Sequence, residues 1–417
     1  MELSFGIGNR LQKVTVDDTQ LIATLEMGEA VGNGESLSES DIVRQALENP
    51  IGTLRLHDLV HPGQRIAIVT SDVTRPMPTA TVLPVVLEEL DAAGIPHEDI
   101  TVVFALGSHR AQTDDERRAL MGELFDELAS KDSDPADTIH LGTTAAGTPV
   151  DIDRTVAEAD VRVCLGNVEY HYFAGYSGGA KAIMPGCSTP AAIQANHRMM
   201  LEDAASTGII EGNPVRADLE EGARILGIDF IVNVVIDEDR HVVHAVAGDM
   251  VEAHRVGCAF LDSVYRVPIP AEADIVIASQ GGLPKDLNLY QTQKALDNAV
   301  RAVREGGIVV LVGSCAEGYG NAVFSSWIAD ASTPDDLIER VNRAFQLGGH
   351  KAAAIALALR KARVFLVSDM PDGMVRAAFM EPFASVQEAY DQAISELGSD
   401  ATVIAMPHAG STLPVLR

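Results

Sequence analysis

The 417 residues exceed the roughly 250–300 at which a single hydrophobic core stops growing, so the length predicts two domains. A hydrophobic content of 47% argues against intrinsic disorder, and a formal net charge of −29 argues against a broad nucleic-acid-binding face. Apolar stretches fall short of the ~20 residues of a membrane span and the N-terminus lacks a signal-peptide pattern, so we expect a cytoplasmic protein that binds neither membrane nor nucleic acid.

Short apolar strands alternate with helix-like segments in the first 265 residues, a pattern typical of parallel, doubly wound α/β sheets. The predicted elements, in chain order, are a strand Arg65–Asp72, a helix Thr79–Ala93, a strand Ile100–Leu106, a helix opened by a capping box at 113–116, a strand Val161–Leu165, a helix after Ser188-Thr189-Pro190, a strand Phe230–Ile236, a turn at 237–240 and a hairpin strand His241–Ala247.

The same alternation starts again after a proline-containing segment at 264–273, which we predict to be a linker. The later elements are a strand Asp274–Ala278, a helix Leu289–Arg304, strands Ile308–Val312 and Val364–Val367, and a last strand Ala401–Ala405. We therefore predict two α/β domains with mostly parallel, doubly wound sheets and an active-site cleft between them. The N-terminal domain is expected to span residues 1–265 with a C-terminal return at 399–417, and the second domain residues 270–398.

Ligands of open parallel sheets bind beyond the carboxyl ends of the strands, so the loops at those ends are the candidate site. Three polar loops of this kind occur in the first domain, at 71–76, 107–110 and 166–186. Two more follow strands of the second domain, at 279–288 and 314–320. A cleft between the domains would bring all five loops together.

The longest of these loops contains the glycine pair Gly178-Gly179 followed by Lys181, in which backbone amides can approach an anion closely. It is not a Walker A loop, because the spacing differs and Ala182 stands where a hydroxyl would hold magnesium. From spacing alone, a glycine-rich turn with a solvent-facing lysine explains the pattern equally well.

Three histidines, His109, His171 and His197, fall on segments that are expected to converge. Such a set fits zinc ligands, general acid and base groups, or a mixture of the two. A zinc-dependent hydrolase built on these residues is therefore one hypothesis.

A second group of polar residues is suited to anions. Asp72 and Arg75 flank a turn that opens a helix, where the helix end and the Thr74 hydroxyl suit a phosphate and the guanidinium suits a carboxylate. Gln291 and Lys294 are three residues apart and so share one helix face. Together with Arg75 they would clamp a small carboxylate or keto substrate, whereas a capping aspartate and an ordinary polar helix face are the alternatives.

Five motifs give the chain its resemblance to a known family. From about residue 60 to the segment at 407–414 the sequence resembles the nickel-dependent lactate racemase family. The motifs, in order, are SDVTRPMPT, ALGSHRAQT, YHYFAGYSGGAKAIMPG, NHRMM and GGLPKDLNLYQTQKA. The resemblance implies an isomerase, a racemase or epimerase of small 2-hydroxy acids that works by reversible hydride transfer through a 2-keto acid.

The resemblance also implies a cofactor, the nickel-pincer nucleotide (pyridinium-3-thioamide-5-thiocarboxylic acid mononucleotide with Ni(II)), attached covalently to Lys181, and proteins that synthesise it. By the same resemblance His197 is the nickel ligand, and His109 and His171 are the catalytic acid and base. The implied cofactor-binding residues are Asp72, Val73, Thr74, Arg75, Ser177, Gly178 and Lys181, and the implied substrate-binding residues are Arg75, Gln291 and Lys294.

One departure from the family concerns substrate size. As we align them, lactate racemase has an aromatic residue after a His-Lys pair, whereas this chain has alanines in the segment 350–354 and its Trp327 lies elsewhere. The missing bulk predicts a wider pocket, so lactate, malate, larger hydroxy acids and sugar acids all remain candidates.

Two further functions compete with the racemase. One is the zinc-dependent hydrolase built on His109, His171 and His197, and the other is a non-catalytic nucleotide-binding protein on the same fold. A conventional NAD dehydrogenase is disfavoured, since no GxGxxG sequence follows a first strand.

Overall fold

A computed structural model of the chain describes residues 1–26, 37–237, 240–343, 345–346 and 348–417. The chain divides at residues 29/30 and 262/263 into two compact units, each with its own hydrophobic core. We call residues 37–262 the central unit, and residues 1–26 with 263–417 the terminal unit. Among the described residues no helix is long and apolar enough to cross a membrane.

The strands are given first, in chain order. In the described residues they are β1 Glu2–Ile7, β2 Arg10–Thr15, β3 Leu21–Thr24, β4 Ile66–Ser71, β5 Ile100–Ala105, β6 Ala129–Asp132, β7 Thr138–Thr143, β8 Pro149–Asp153, β9 Val161–Asn167, β10 Tyr170–His171, β11 Gly175–Tyr176, β12 Phe230–Ile236, β13 Val242–Gly248, β14 Arg266–Ile269, β15 Ala273–Ser279, β16 Val303–Val312, β17 Arg363–Val367, β18 Glu381–Phe383, β19 Val403–Met406 and β20 Leu413–Leu416.

The helices lie between these strands. Over the same residues they are α1 Glu39–Glu48, α2 Leu56–Leu59, α3 Thr79–Ala92, α4 Asp114–Met121, α5 Arg154–Ala157, α6 Pro190–His197, α7 Pro214–Leu226, α8 Glu252–Tyr265, α9 Leu289–Ala299, α10 Ala322–Asp330, α11 Pro334–Arg343, α12 Gly349–Lys361, α13 Asp372–Ala377 and α14 Val386–Leu397.

The central unit is built on a six-stranded sheet in the order β13-β12-β9-β4-β5-β6. All neighbours are parallel except β13, which runs antiparallel to β12. In β4 the residues from Ile66 to Thr70 are all buried, as expected for a parallel strand covered on both faces. The carboxyl ends of β4, β5 and β9 therefore lie side by side, and their loops carry most of the candidate residues.

The terminal unit has a second six-stranded sheet, in the order β18-β17-β16-β15-β19-β3, in which every pairing is parallel. Its core combines β1 with strands from the C-terminal half of the chain. Two mostly parallel sheets with interspersed helices confirm the predicted α/β class.

The ends of the chain do not follow the predicted boundaries. We predicted that 1–265 and the return at 399–417 form one domain, but β19 pairs with β15 and β3 in the terminal-unit sheet. All four residues of β19 are buried between these two partners. A buried apolar run identifies a strand, but it does not identify the sheet that the strand joins.

The segment at 264–273, which we predicted to be a linker, instead contains regular secondary structure. It contains the end of α8, and then β14, which pairs in parallel with β20. Pro268 lies inside β14, where the missing N–H is tolerated because each strand of a two-stranded ribbon has an open edge.

The helix predicted at Leu289–Arg304 is shorter than expected. It ends at Ala299, and β16 begins at Val303, which pairs with Ala273. The periodicity of the sequence does not reveal this pairing, so Gly306-Gly307, taken as the helix end, lies within a strand.

The helices and the hairpin next to the candidate loops agree with the predictions made from the sequence. The capping box is formed, since Glu116 N–H donates to Thr113 Oγ1 at 3.2 Å and Thr113 N–H donates to the Glu116 carboxylate at 2.9 Å. Helix α3 is followed by Gly94 with φ of +76°. The hairpin of β12 and β13 is antiparallel as predicted, and residues 238 and 239 of its turn lie outside the described residues.

Two glycine substitutions in the terminal unit should shift stability in opposite directions. A Cβ on Gly349 would overlap the ring of Trp327, whereas a Cβ on Gly373 meets nothing within 4 Å. Gly349→Ala should cost about 1–3 kcal/mol through overpacking, and Gly373→Ala, in helix α13, should stabilise by up to about 1 kcal/mol. Thermal unfolding followed by circular dichroism measures both, and a Gly349→Ala variant as stable as the wild type would contradict this packing.

Candidate active site

The loop after β4 is organised by the buried carboxylate of Asp72. Thr74 N–H donates to Asp72 Oδ1 at 2.7 Å, and Arg75 N–H donates to the Asp72 carbonyl at 3.0 Å. The other carboxylate oxygen, Oδ2, lies 2.6 Å from Nδ1 of His109, which the loop after β5 carries. Two of the predicted loops are thus joined by one carboxylate.

This contact fixes the state of the His109 ring. A carboxylate only accepts, so Nδ1 carries the proton and the lone pair of the neutral ring lies on Nε2. Burial raises the pKa of Asp72, but hydrogen bonds from His109 and Thr74 outweigh it and lower the pKa overall, so Asp72 is ionised at neutral pH. Nη2 of Arg75 lies 3.5 Å from Nε2 of His109. A cation suited to a carboxylate therefore stands beside a ring nitrogen suited to accept a proton.

Hydrogen bonds from backbone and side chains hold all three loops of the central unit together. Val73 N–H donates to the side-chain oxygen of Gln112 at 2.8 Å, and the Gln112 amide donates to Asp132 at 2.9 Å. Gly107 N–H donates to the carbonyl of Gly186 at 2.8 Å, which connects the second loop to the third. The side chain of Val73 itself is exposed.

The glycine-rich part of the third loop is packed against β12. Ser177 Oγ donates to the carbonyl of Asn167 at 2.7 Å, and Gly179 N–H donates to Oδ1 of Asn233 at 2.8 Å. Gly178 has φ of +72°, and a Cβ there would lie 2.7 Å from the same amide oxygen. The packing of the loop therefore requires glycine at position 178. That Ser177 and Gly178 contact a cofactor stays a prediction.

The buried ring of Phe173 gathers three of the predicted residues. Its centroid lies 4.5 Å from that of His171 and 4.8 Å from that of His197, both in edge-to-face geometry. Nζ of Lys181 lies 5.8 Å from the same ring. Sequence reasoning did not assign a role to Phe173, although an aromatic residue inside a glycine-rich loop is an available signal.

The basic groups around this ring are desolvated. Burial lowers the pKa of Lys181 well below its ordinary value, and the charges of Arg216 and Arg75 lower it further. Burial likewise lowers the pKa of His171, with Lys181 and His197 adding to the effect. Both shifts favour the neutral forms of these side chains, and a neutral lysine amine is a nucleophile.

The tautomer of His171 is opposite to that of His109. Nδ1 of His171 accepts a hydrogen bond from Ala174 N–H at 3.2 Å, so the proton of the neutral ring lies on Nε2. One predicted acid/base histidine thus presents a lone pair on Nε2, and the other presents an N–H.

His197 is placed by helix α6. Thr189 caps this helix and Pro190 occupies its first turn, as the sequence predicted. The ring is buried at the last helical residue, and its Nδ1 lies 2.9 Å from Oδ1 of Asn196.

Arg216 was missed by sequence reasoning. It is buried on α7, its Nε donates to the carbonyl of Ala174 at 3.2 Å, and its Nη2 donates to the carbonyl of Tyr176. Burial lowers the pKa of this guanidinium to about 10, so it remains charged. It fixes the backbone that follows His171 and supplies the fixed positive charge next to Lys181.

The remaining predicted residues lie in the terminal unit. Gln291 and Lys294 are exposed on α9 while Thr292 and Ala295 are buried, so the predicted shared face is confirmed. Arg75 belongs to the other unit, and therefore the clamp across an interdomain cleft stays a prediction.

The segment with the missing aromatic residue belongs to α12. His350, Lys351 and the three alanines that follow are buried, and Nζ of Lys351 donates to the carbonyl of Tyr290 at 2.8 Å. Trp327 packs on the same helix at Gly349. The wider pocket stays a prediction.

The zinc hypothesis requires a cluster of protein ligands. In the part of the chain that the structure describes, no group of three or more His, Cys, Asp or Glu side chains is arranged to hold a metal ion. His109 is engaged with Asp72, while His171 and His197 face Phe173. A metal centre made only from the three histidines is therefore not formed.

Replacing Asp72 should change how the stability of the fold depends on pH. Because its pKa is lower in the folded than in the unfolded chain, ionised Asp72 stabilises the fold above the unfolded pKa of about 4, and the contribution is lost as the pH falls through the folded value. Asp72→Asn should cost about 1.5–3 kcal/mol at pH 7 and clearly less below pH 4. The free energy of unfolding is measured for each variant across this pH range, with Asp203→Asn, at an exposed side chain, as the control. A loss of stability in Asp72→Asn that does not depend on pH would contradict this assignment.

Comparison with known proteins gives a consistent result. Residues 7–208 match the family model described as the lactate racemase N-terminal domain, and residues 269–413 match the lactate racemase C-terminal domain. The chain is 35% identical over 389 residues to a lactate racemase of Thermoanaerobacterium thermosaccharolyticum, covering 91% of each chain. It is 31% identical over 406 residues to a lactate racemase of Lactiplantibacillus plantarum, covering 94% of each chain.

Solved structures agree with the sequence comparisons. The lactate racemase apoprotein from T. thermosaccharolyticum superposes with a TM-score of 0.91 at 32% identity, covering all of both chains. A Thermotoga maritima protein matches with a TM-score of 0.66 at 16% identity, covering 92% of this chain and 99% of that one, and shows the fold alone. The chain belongs to the lactate racemase family.

Proposed function

We propose that this protein is a nickel-dependent racemase or epimerase of 2-hydroxy acids, in which His109 and His171 exchange protons with the substrate. Family membership supports the isomerase activity and the dependence on nickel. The assembly of His171, Lys181 and His197 around Phe173 is the observation that carries the proposal.

The chemistry explains why a metal-bearing organic cofactor is needed. The C–H bond of a 2-hydroxy acid is weakly acidic, so direct removal of its proton is costly. Loss of hydride from that carbon, while a base takes the hydroxyl proton, avoids the carbanion and gives a planar 2-keto acid. When bound, the nickel-pincer nucleotide supplies an acceptor for this hydride. Return of hydride to the opposite face of the keto acid inverts the centre.

The residues of the central unit fit this cofactor. Burial lowers the pKa of Lys181 and so favours its neutral amine, the form that covalent attachment requires. His197 has a lone pair on Nε2, because its Nδ1 faces an amide oxygen, and imidazole is a ligand that nickel accepts. A single protein ligand is consistent with a cofactor that brings its own sulfur donors. Asp72 to Arg75 and Ser177-Gly178 are the proposed walls of the nucleotide site.

Proton transfer is assigned to the two histidines with opposite tautomers. His109 accepts the hydroxyl proton at Nε2, and ionised Asp72 stabilises the imidazolium that results. His171 donates a hydrogen bond from Nε2 to the substrate oxygen. For the other enantiomer the roles reverse: His171 accepts the hydroxyl proton at Nε2 while its own proton lies on Nδ1, and His109 donates from Nε2 as an imidazolium held by Asp72. Arg75, beside His109, binds the carboxylate, and Gln291 and Lys294 are proposed to contact the same substrate.

Covalent attachment at Lys181 predicts a mass change. The intact mass of protein from a host that makes the cofactor should exceed the sequence mass, and the added mass should be absent from Lys181→Ala and from Lys181→Arg, which keeps a long basic side chain but removes the nucleophilic amine. Lys13→Ala, at a surface lysine, should retain it. Fully active wild type without added mass would contradict the attachment.

Replacement of either histidine should stop inversion without removing the metal. His109→Ala and His171→Ala should each lower kcat by about 10²–10⁴-fold while nickel stays bound. Enantiopure 2-hydroxy acids of several sizes are incubated in D₂O, and loss of optical purity and deuterium at C2 are measured together. His61→Ala, at the opposite end of β4 from Asp72, is the control. Efficient deuterium incorporation at C2 would contradict hydride transfer.

A further inference from the structure

A buried chain of polar side chains lies behind His197. Its members are Asn196 on α6, Asp218 on α7, and Thr144 and Thr148 between β7 and β8, each no more than 4% exposed. None of them was assigned a role from the sequence. Burying so many polar groups is costly unless they are all paired, so their arrangement needs an explanation.

The carboxylate of Asp218 collects three donors. The hydroxyl of Thr148 donates to Oδ2 at 2.8 Å, the hydroxyl of Thr144 donates to Oδ1, and the side-chain amide of Asn196 donates to Oδ2 at 2.7 Å. Thr144 Oγ1 accepts from Thr148 N–H at 3.0 Å and directs its own hydroxyl proton to the carboxylate, since an ionised carboxylate has no proton to donate. The carboxylate thus acts only as an acceptor.

This fixes which way the Asn196 amide points. Its Nδ2 donates to Asp218 and also to the carbonyl of Val215 at 3.2 Å, and neither partner can donate in return. Oδ1 must therefore face His197, where it lies 2.9 Å from Nδ1. An amide oxygen only accepts, so His197 carries its proton on Nδ1 and its lone pair on Nε2.

We propose that Asp218 and Asn196 form a positioning relay that sets the tautomer and the ring orientation of His197 for binding nickel through Nε2. The inference rests on the proposed function of His197 as the metal ligand. Asp218 and Asn196 do not contact the metal, and act only through the ring. Outer partners of this kind hold metal-binding histidines in place, and their loss typically costs 10–100-fold in metal affinity.

Two single variants break the relay in different ways. Asp218→Asn introduces a donor in place of the acceptor, which allows the Asn196 amide to turn its NH₂ group toward His197 and so favours the Nε2–H tautomer. Asn196→Leu removes the acceptor for Nδ1–H altogether. The double variant Asn196→Asp/Asp218→Asn restores an acceptor next to Nδ1, held by a donor from position 218, and should rescue the wild-type tautomer.

Thr148→Val is the matched control. It removes one donor to Asp218 and lowers the thermal midpoint, but it leaves the contact between Asp218 and Asn196 in place. A merely structural role for the network predicts that Thr148→Val and Asp218→Asn behave alike, whereas the relay predicts that only Asp218→Asn affects the histidine.

The first measurement needs no cofactor. In protein labelled with ¹⁵N-histidine, the shifts of the two ring nitrogens report the tautomer, and the His197 signals are identified by their loss in His197→Gln. We expect Nδ1–H in the wild type, in Thr148→Val and in the double variant, and a shift toward Nε2–H in Asp218→Asn and Asn196→Leu.

The second measurement follows nickel loss from cofactor-loaded protein to a chelator, with metal content determined by mass spectrometry. Asp218→Asn and Asn196→Leu should lose nickel about 10–100-fold faster than Thr148→Val. A wild-type ring protonated on Nε2, or single variants that keep both the tautomer and the rate, would overturn the relay alone. Loaded wild type that holds no nickel would overturn the proposed function, and with it the metal-positioning role.

Discussion

The candidate site of the central unit depends on one constraint, that fixed hydrogen-bond donors and acceptors set the tautomers of its three imidazoles. Asp72 accepts from Nδ1 of His109, and Asn196 accepts from Nδ1 of His197, so both rings have their lone pair on Nε2. Ala174 N–H imposes the opposite state on His171. Because the parallel sheet brings its strand ends to one edge, a few polar contacts near that edge set which nitrogen of each ring carries the lone pair.

Desolvation near the same loops lowers the pKa of two basic side chains, Arg216 and Lys181, but with different consequences for their charge. Arg216 keeps its charge, since its pKa is lowered only to about 10, and it fixes the backbone carbonyls on either side of Gly175. Lys181 is desolvated in the glycine-rich loop, and this desolvation together with the charge of Arg216 lowers its pKa and favours the neutral amine. A guanidinium retains its proton under conditions in which an ammonium loses it, so the two residues are not interchangeable.

The sequence predicted the parts of this arrangement that local pattern determines. The strands and helices that carry Asp72, His109 and His197 agree with the structure within one or two residues, since capping residues and apolar runs mark their ends. The sheet joined by β19 could not be predicted in this way, because a buried strand looks the same in either sheet. Phe173 and Asp218 were missed for a related reason. Their partners are distant in sequence, and only the packed loops and helices bring them together.

Under the proposed function each catalytic histidine gains a proton at Nε2 in one direction of the reaction and gives one up in the other, and their partners show which ring changes more easily. His109 is held through Nδ1 by an ionised carboxylate at 2.6 Å, and it keeps this partner whether Nε2 is protonated or not. His171 is held by a single backbone N–H at 3.2 Å, which it must release before Nδ1 can carry a proton. A neutral contact of this length is weaker than a charge-assisted one, so the cost of release is small. The unequal anchoring of the two rings is therefore compatible with reversible catalysis.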